Sequence, residues 1–308
     1  MRIVCRLLPT FFLVALLLPC EGSELLVYNH GTLRILKFDG RTGEFLLAFQ
    51  RPSPQSDYQG MALGPDGVLY VCSGGADTIH RFDPKTGQQV QLFASGGSLD
   101  HPAKLLIGLD GLLYVSNRDG DSVSRIRIDG PTSIDLGDIV SPGSGGLDTP
   151  NGLAFDRHGN LLVASRNTAN VLKYSGSTGS YIEEFVQAGS GGLLEPTEIL
   201  FGPDSNLYVC DRSGNNVLRY DGSSGEYLDE FISSIAGGLN NPSGMAFGPD
   251  GKFYVSSSGS DQVLRYEGSG ALSDAFITSG TEGLDSNSTL LFLEPPAVFN
   301  NLGWNLYH

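Results

Sequence analysis

A unit of about 46 residues recurs along the chain, and this repeat limits the available folds more than any other feature. The segments GMALGPDGVLYV (60–71), KLLIGLDGLLYV (104–115), NGLAFDRHGNLLV (151–163), TEILFGPDSNLYV (197–209) and SGMAFGPDGKFYV (243–255) are copies of one pattern. Their first apolar positions, Met61, Leu105, Leu153, Ile199 and Met245, lie 44, 48, 46 and 46 residues apart. A further step of 45 reaches Leu290 in STLLFLEP, a sixth copy cut short. The remainder of that copy stands at the other end of the chain, in LLVYNHGTLRILKFDGRTGEFLLAF (25–49).

Each unit has the grammar of four short strands. A strand such as Met245-Ala246-Phe247 runs into a Gly-Pro-Asp-Gly turn. There Pro presets φ and Gly takes a conformation that other residues avoid. A second strand ends at Val27, Val71, Val115, Val163, Val209 or Val255. A third carries Ile35, Ile79, Val123, Val171, Val217 or Val263, and a fourth ends at Phe49, Phe93, Phe185, Phe231 or Phe276. Short alternating strands without sustained helical periodicity make the chain all-β. Four strands per repeat of this length predict a six-bladed β-propeller of four-stranded blades. Its ring is closed by pairing the N- and C-terminal strands, which hides the last sheet edge. The third unit departs most: residues 126–145 lack the Thr-Gly turn and the closing Phe, so an irregular outer strand is expected there.

The domain reading is a signal peptide over 1–22, a propeller over 23–295 and a C-terminal tail over 296–308. Arg2 and Arg6 precede the apolar run Phe11–Leu18, the pattern of an export signal. That run falls well short of the ~20 residues a membrane span needs. The expected location is therefore extracellular or periplasmic, with no transmembrane span. Cys5 and Cys20 leave with the signal. Cys72 and Cys210 hold the same position in the second and fifth units, opposite each other in a ring of six. Sheets packed about 10 Å apart put such sites on the order of 20 Å apart. A disulfide needs Cα atoms within about 7 Å, so both are expected as free, buried thiols.

Lys plus Arg number 19 against 34 Asp plus Glu, a formal charge of −15. Binding to phosphate backbones or anionic lipid runs on clustered cations, so nucleic acid and membrane surfaces are excluded as partners. Six of the basic residues, Lys37, Arg81, Arg125, Lys173, Arg219 and Arg265, fill one position of every unit. Spread one per blade, they are read as structural partners of hairpin acids. The turn acids Asp66, Asp110, Asp204 and Asp250 are read as structural for the same reason.

The pattern LxxPxGxxFGPDGxLYVxDxxxNxVxRYD, clearest in Leu239–Glu267 and Leu193–Asp221, resembles the NHL-repeat propellers and spans residues 24–295. The resemblance implies a ring with a central channel. It also implies ligand or partner sites on the face bearing the blade-to-blade loops, here 145–152, 191–198 and 237–244. At the Gly of P-x-G the six units carry Gly60, Lys104, Gly152, Glu198, Gly244 and Thr289, so a charge twice replaces Gly at the channel rim. Arg118, Arg166 and Arg212 come from three consecutive blades, and with Lys104 form a positive arc. Asn29, His30 and His101 are the other candidates for ligand or partner contact on that face.

A second set, Glu198, Asn151, Asn117 and Asp211, brings three or four oxygen donors to one side and would suit Ca²⁺ or another divalent cation. The set is similar to that of gluconolactonase-like propellers, whose metal motif is matched only at Pro150-Asn151-Gly152-Leu153. Streptogramin-cleaving lyases, similar in fold, use channel histidines. Of His30, His80, His101, His158 and His308, only His30 and His101 are expected on the functional face, too few for a His₃ centre. Asn287-Ser288-Thr289 is a glycosylation sequon, relevant at Asn287 in a eukaryotic source.

These readings lead to a secreted, non-catalytic binding or scaffold module. It is expected to be a monomer, to need no cofactor, and to take a protein, peptide or small anionic ligand at the channel mouth. The alternative is a lactonase-type hydrolase dependent on a divalent metal.

Overall fold

The computed structural model describes residues 22–50, 58–234 and 237–293. The export-signal run and the 296–308 tail lie outside the described residues. The strands form six four-stranded antiparallel sheets, one per repeat. Blades 2 to 6 begin at Tyr58–Leu63, Pro102–Ile107, Pro150–Phe155, Pro196–Phe201 and Pro242–Phe247, and each runs outward in chain order. Blade 1 is composite. Its innermost strand, Asn287–Leu293, pairs with Glu24–Asn29, followed outward by Arg34–Asp39 and Phe45–Ala48. Leu290, Leu291, Phe292 and Leu293 face Val27, Leu26, Leu25 and Glu24 across the junction. Each innermost strand touches the next around all six positions, so the ring is closed.

Blades stack face to face, which buries the second strand of each on both sides. That is why Leu69–Ser73, Leu161–Ser165 and Phe253–Ser257 read as apolar runs rather than alternating ones. The cores are shared between neighbours: Tyr70, Cys72 and Phe93 of blade 2 pack with Leu105, Leu113 and Val115 of blade 3. Burying each such side chain contributes about 1.5–3 kcal/mol.

The turn acids are structural. Asp66, Asp110, Asp204 and Asp250 accept hydrogen bonds at 3.0, 3.0, 3.1 and 2.9 Å from Tyr70, Tyr114, Tyr208 and Tyr254 on their own second strands. The basic column meets hairpin acids. Lys37 pairs with Glu24 and Arg81 with Asp66, both at 2.8 Å. Lys173 pairs with Asp156 and Glu183, Arg219 with Asp229 and Arg265 with Asp274. In blade 3 the irregularity expected in the outer strand is one of register. Ser122–Asp129 and Thr132–Val140 pair at full length, with shifts after Val123 and Ser124.

Cys72 and Cys210 are free and buried, in opposite blades. Burial pushes the Cys72 thiol up to about 12 and raises that of Cys210 as well.

Candidate functional site

The second residue of every innermost strand reaches the channel mouth. Gln59, Ala103, Asn151, Thr197, Ser243 and Ser288 together line one cavity of about 260 Å³. The third residue alternates around the ring between Gly and a side chain. Gly60, Gly152 and Gly244 are required by close approach: a Cβ there would come within 2.8 Å of the Lys104 Cα, 3.0 Å of the Glu198 Cα and 3.0 Å of the Thr289 Cα. The intervening blades therefore supply Lys104, Glu198 and Thr289 at every second position. Thr289 donates its hydroxyl to the Gln59 carbonyl of the adjacent blade.

Lys104 and Glu198 meet across the intervening blade 4, with Nζ 2.5 Å from Oε2. The other Glu198 oxygen accepts from the Ile199 amide at 3.3 Å. The carboxylate side chain is 7% exposed and the ammonium side chain 18%. Burial raises the Glu198 carboxyl above its ordinary range, opposed by the charge and hydrogen bond of Lys104. The two charged replacements of Gly thus form one ion pair on the channel, and both residues also line the lower half of that channel.

Above the pair stands a second tier, one residue past the end of each second strand. Its members are His30, Gly74, Arg118, Arg166, Arg212 and Ser258. Four of them, His30, Arg118, Arg212 and Ser258, line the cavity. Arg166 does not join them. Its guanidinium turns to Glu195, with Nε at 2.6 Å from Oε1. His101 is also outside the cavity lining. It holds a loop position with φ of 52°, its amide is accepted by Asp77 of blade 2 at 2.7 Å, and its Nδ1 lies 3.2 Å from Asp119. Its ring fills the space that a side chain at position 74 would need.

The last residue of the second strand has a different task in five of the six blades. Asn117 accepts the amide of Asp100 at 3.3 Å, Ser165 that of Asp148 at 3.0 Å, and Ser257 that of Asn240 at 2.9 Å. Asp211 accepts Leu194 and Glu195, both at 2.9 Å. Asn29 accepts Gly31 and Asp285, and donates to Gly283 at 2.8 Å. All five are buried and tie the blade-to-blade loop to the sheet. Asn29, Asn117 and Asp211 are therefore loop anchors rather than mouth groups. The clue was legible, since this column is small and polar in every unit.

The proposed oxygen set is thus divided. Asn151 and Glu198 face the cavity, whereas Asn117 and Asp211 spend their acceptors on backbone amides. Among the described residues no cluster of three or more His, Cys, Asp or Glu has the arrangement of a metal centre. As placed, these residues do not fit a divalent ion. Asn287 is buried, and its Nδ2, the glycan-bearing atom of a sequon, donates to the Gln262 carbonyl at 2.8 Å. Attachment there requires the blade to open.

No protein-family model matches the chain, and no curated protein matches it. Solved structures share its fold. A chain of a nidogen/laminin complex superposes with a TM-score of 0.68 at 18% identity, over 88% of this chain and 98% of that one. A protein of unknown function from Bacteroides caccae gives 0.66 at 12% identity, over 89% and 99%. A streptogramin B lyase gives 0.61 at 15% identity, over 88% and 92%. At these identities the likeness is one of fold, a β-propeller, and the NHL-like pattern of the sequence fits it.

Proposed function

We propose that the chain is an exported, non-catalytic binding propeller whose channel mouth receives an anionic group, a carboxylate of a small molecule or of an acidic peptide. The observation that carries this is the convergence of Lys104, Arg118 and Arg212 on one cavity of a chain whose formal charge is −15. The carboxylate in the lining, Glu198, is already bonded to Lys104. Hydroxyls and amides from Gln59, Asn151, Thr197 and Ser243 complete a polar wall suited to orienting a ligand. That one similar structure is a nidogen/laminin complex supports a binding role for this fold. An enzyme reading has less support, because the acid that would serve it is held in an ion pair.

The test is calorimetric titration with hexaglutamate. Hydrogen bonds to charged groups contribute about 1.5–3 kcal/mol. Replacing both Arg118 and Arg212 by Ala is therefore expected to weaken binding about tenfold or more. Raising salt should weaken the wild-type interaction further. Equal affinity in the double variant would overturn the reading.

A further inference from the structure

Below the Lys104–Glu198 pair the channel changes character. A second cavity of about 220 Å³ is lined by three residues from the C-terminal half of each of the six innermost strands, among them Leu106, Phe155, Leu200, Ala246 and Phe292. It reaches the opposite face at Leu109, which is 88% exposed. The charged residues in its lining are Lys104, Glu198 and Asp156. Asp156 is satisfied: it accepts from the His158 and Asn160 amides at 2.8 Å and from Asn160 Nδ2 at 2.9 Å, and lies 3.3 Å from Lys173. A concave, largely apolar wall with one convergent polar pair is the usual form of a small-molecule site.

The sign of the ligand follows from the cations on the channel, where Arg118 and Arg212 line the cavity above the pair. An ammonium has three N–H donors. Lys104 Nζ uses one, on Glu198 Oε2. Glu198 is bonded once at each oxygen, which leaves a second lone pair on each. An incoming carboxylate satisfies the remaining lysine donors beneath two arginines, whereas an incoming amine meets three cations for the one carboxylate.

We propose that the anion taken at Lys104 is the head of an apolar monocarboxylic acid, and that its carbon body lies in the lower channel between the six apolar rows. The proposal rests on the channel mouth being an anion site, and extends it by naming the ligand's other end. The neutral variant Glu198→Gln leaves more of Lys104 to the ligand and removes a like charge, so it binds the acid more tightly. The paired variant Lys104→Met with Glu198→Gln removes both charges together and loses the preference for an acid over an alcohol.

The experiment is titration of the full exported chain with hexanoate, octanoate and 1-octanol, beside hexaglutamate. Octanoate is expected to bind more tightly than hexanoate by about fourfold for each added methylene, as burial of each one predicts, and more tightly than 1-octanol. Ala246→Trp fills the lower channel and should abolish octanoate binding while hexaglutamate still binds. Should that variant melt early, Leu109→Asp at the exposed rim is the second probe, expected to weaken octanoate severalfold. Equal affinity for octanoate and hexanoate overturns the proposal, as does equal affinity for octanoate and 1-octanol. Octanoate binding unaltered in the lower-channel variants overturns it too. If hexaglutamate binding depends on Arg118 and Arg212 while octanoate fails these criteria, the mouth reading stands and this inference falls. If hexaglutamate binding is indifferent to those arginines, the mouth reading fails first.

Discussion

Two groups of basic residues in this propeller stand in contrast. The column Lys37, Arg81, Arg125, Lys173, Arg219 and Arg265 recurs in every blade, and five of its members form ion pairs with acids. Lys104, Arg118 and Arg212 break the repeat, come from blades 3 and 5, and meet on one cavity. The difference lies in symmetry rather than residue type. A position filled in all six blades answers a need that every blade has, whereas a departure at the channel answers a need of the ring as a whole. Asn29, Asn117 and Asp211 obey the same rule, being members of a small polar row that anchors loops in five of the six blades.

The largest expected effect tests the ring on which both populations depend. Ending the chain at Asp285 removes the Asn287–Leu293 strand, with the burial of Leu290 and Leu293. Each buried leucine contributes about 1.5–3 kcal/mol, a large share of the ~5–15 kcal/mol typical of a domain. Circular dichroism melting should show a broad transition, or none.

Next comes the ion pair. Lys104→Ala leaves Glu198 buried without its cation and should cost about 3–5 kcal/mol in urea denaturation. Lys104→Met combined with Glu198→Leu removes both charges and should lie close to wild type. Its pH dependence has a definite sign. Burial holds the Glu198 carboxyl above its ordinary range, so the folded state binds this proton more tightly than the unfolded chain does. The contribution is complete below the unfolded value of about 4.3 and is lost as pH rises through the higher folded value. Denaturation between about pH 4 and 8 should therefore show a fall in stability that Glu198→Gln flattens.

Smaller effects separate the two populations directly. Arg219→Ala and Arg265→Ala should each cost about 1 kcal/mol or less, as exposed and half-exposed pairs do. Arg118→Ala and Arg212→Ala should stay within about 0.5 kcal/mol of wild type in stability, with their cost appearing in binding. A larger stability loss at the mouth than in the column would blur the distinction. The buried thiols provide the mildest check: with Cys72 pushed up to about 12, neither cysteine should react with iodoacetamide in the native protein at pH 8.

The fold was legible because turn chemistry and strand pattern repeat in register, so the four-stranded blades and the split closing blade could be counted from spacing alone. The mouth was legible in part. Lys104 and Glu198 stood out as charges in a glycine column, but their pairing depends on a distance across an intervening blade that no local pattern encodes. The alternation of Gly60, Gly152 and Gly244 with bulkier residues carried that information and is visible only once close backbone approach is known. Arg166 looks equivalent to Arg118 and Arg212 in sequence, yet Glu195 captures it. The lower cavity left no signal, since residues such as Leu106 and Phe155 read as ordinary core.

The sharpest comparison of mouth and column uses two variants of equal charge. Hexaglutamate is titrated into Arg118→Ala/Arg212→Ala and into Arg219→Ala/Arg265→Ala at one ionic strength. A loss of about tenfold or more is expected for the first pair, and less than about twofold for the second, whose charges are held in separate hairpins. Equal losses in both would mean that net charge alone governs the interaction, and would contradict a site at the channel mouth.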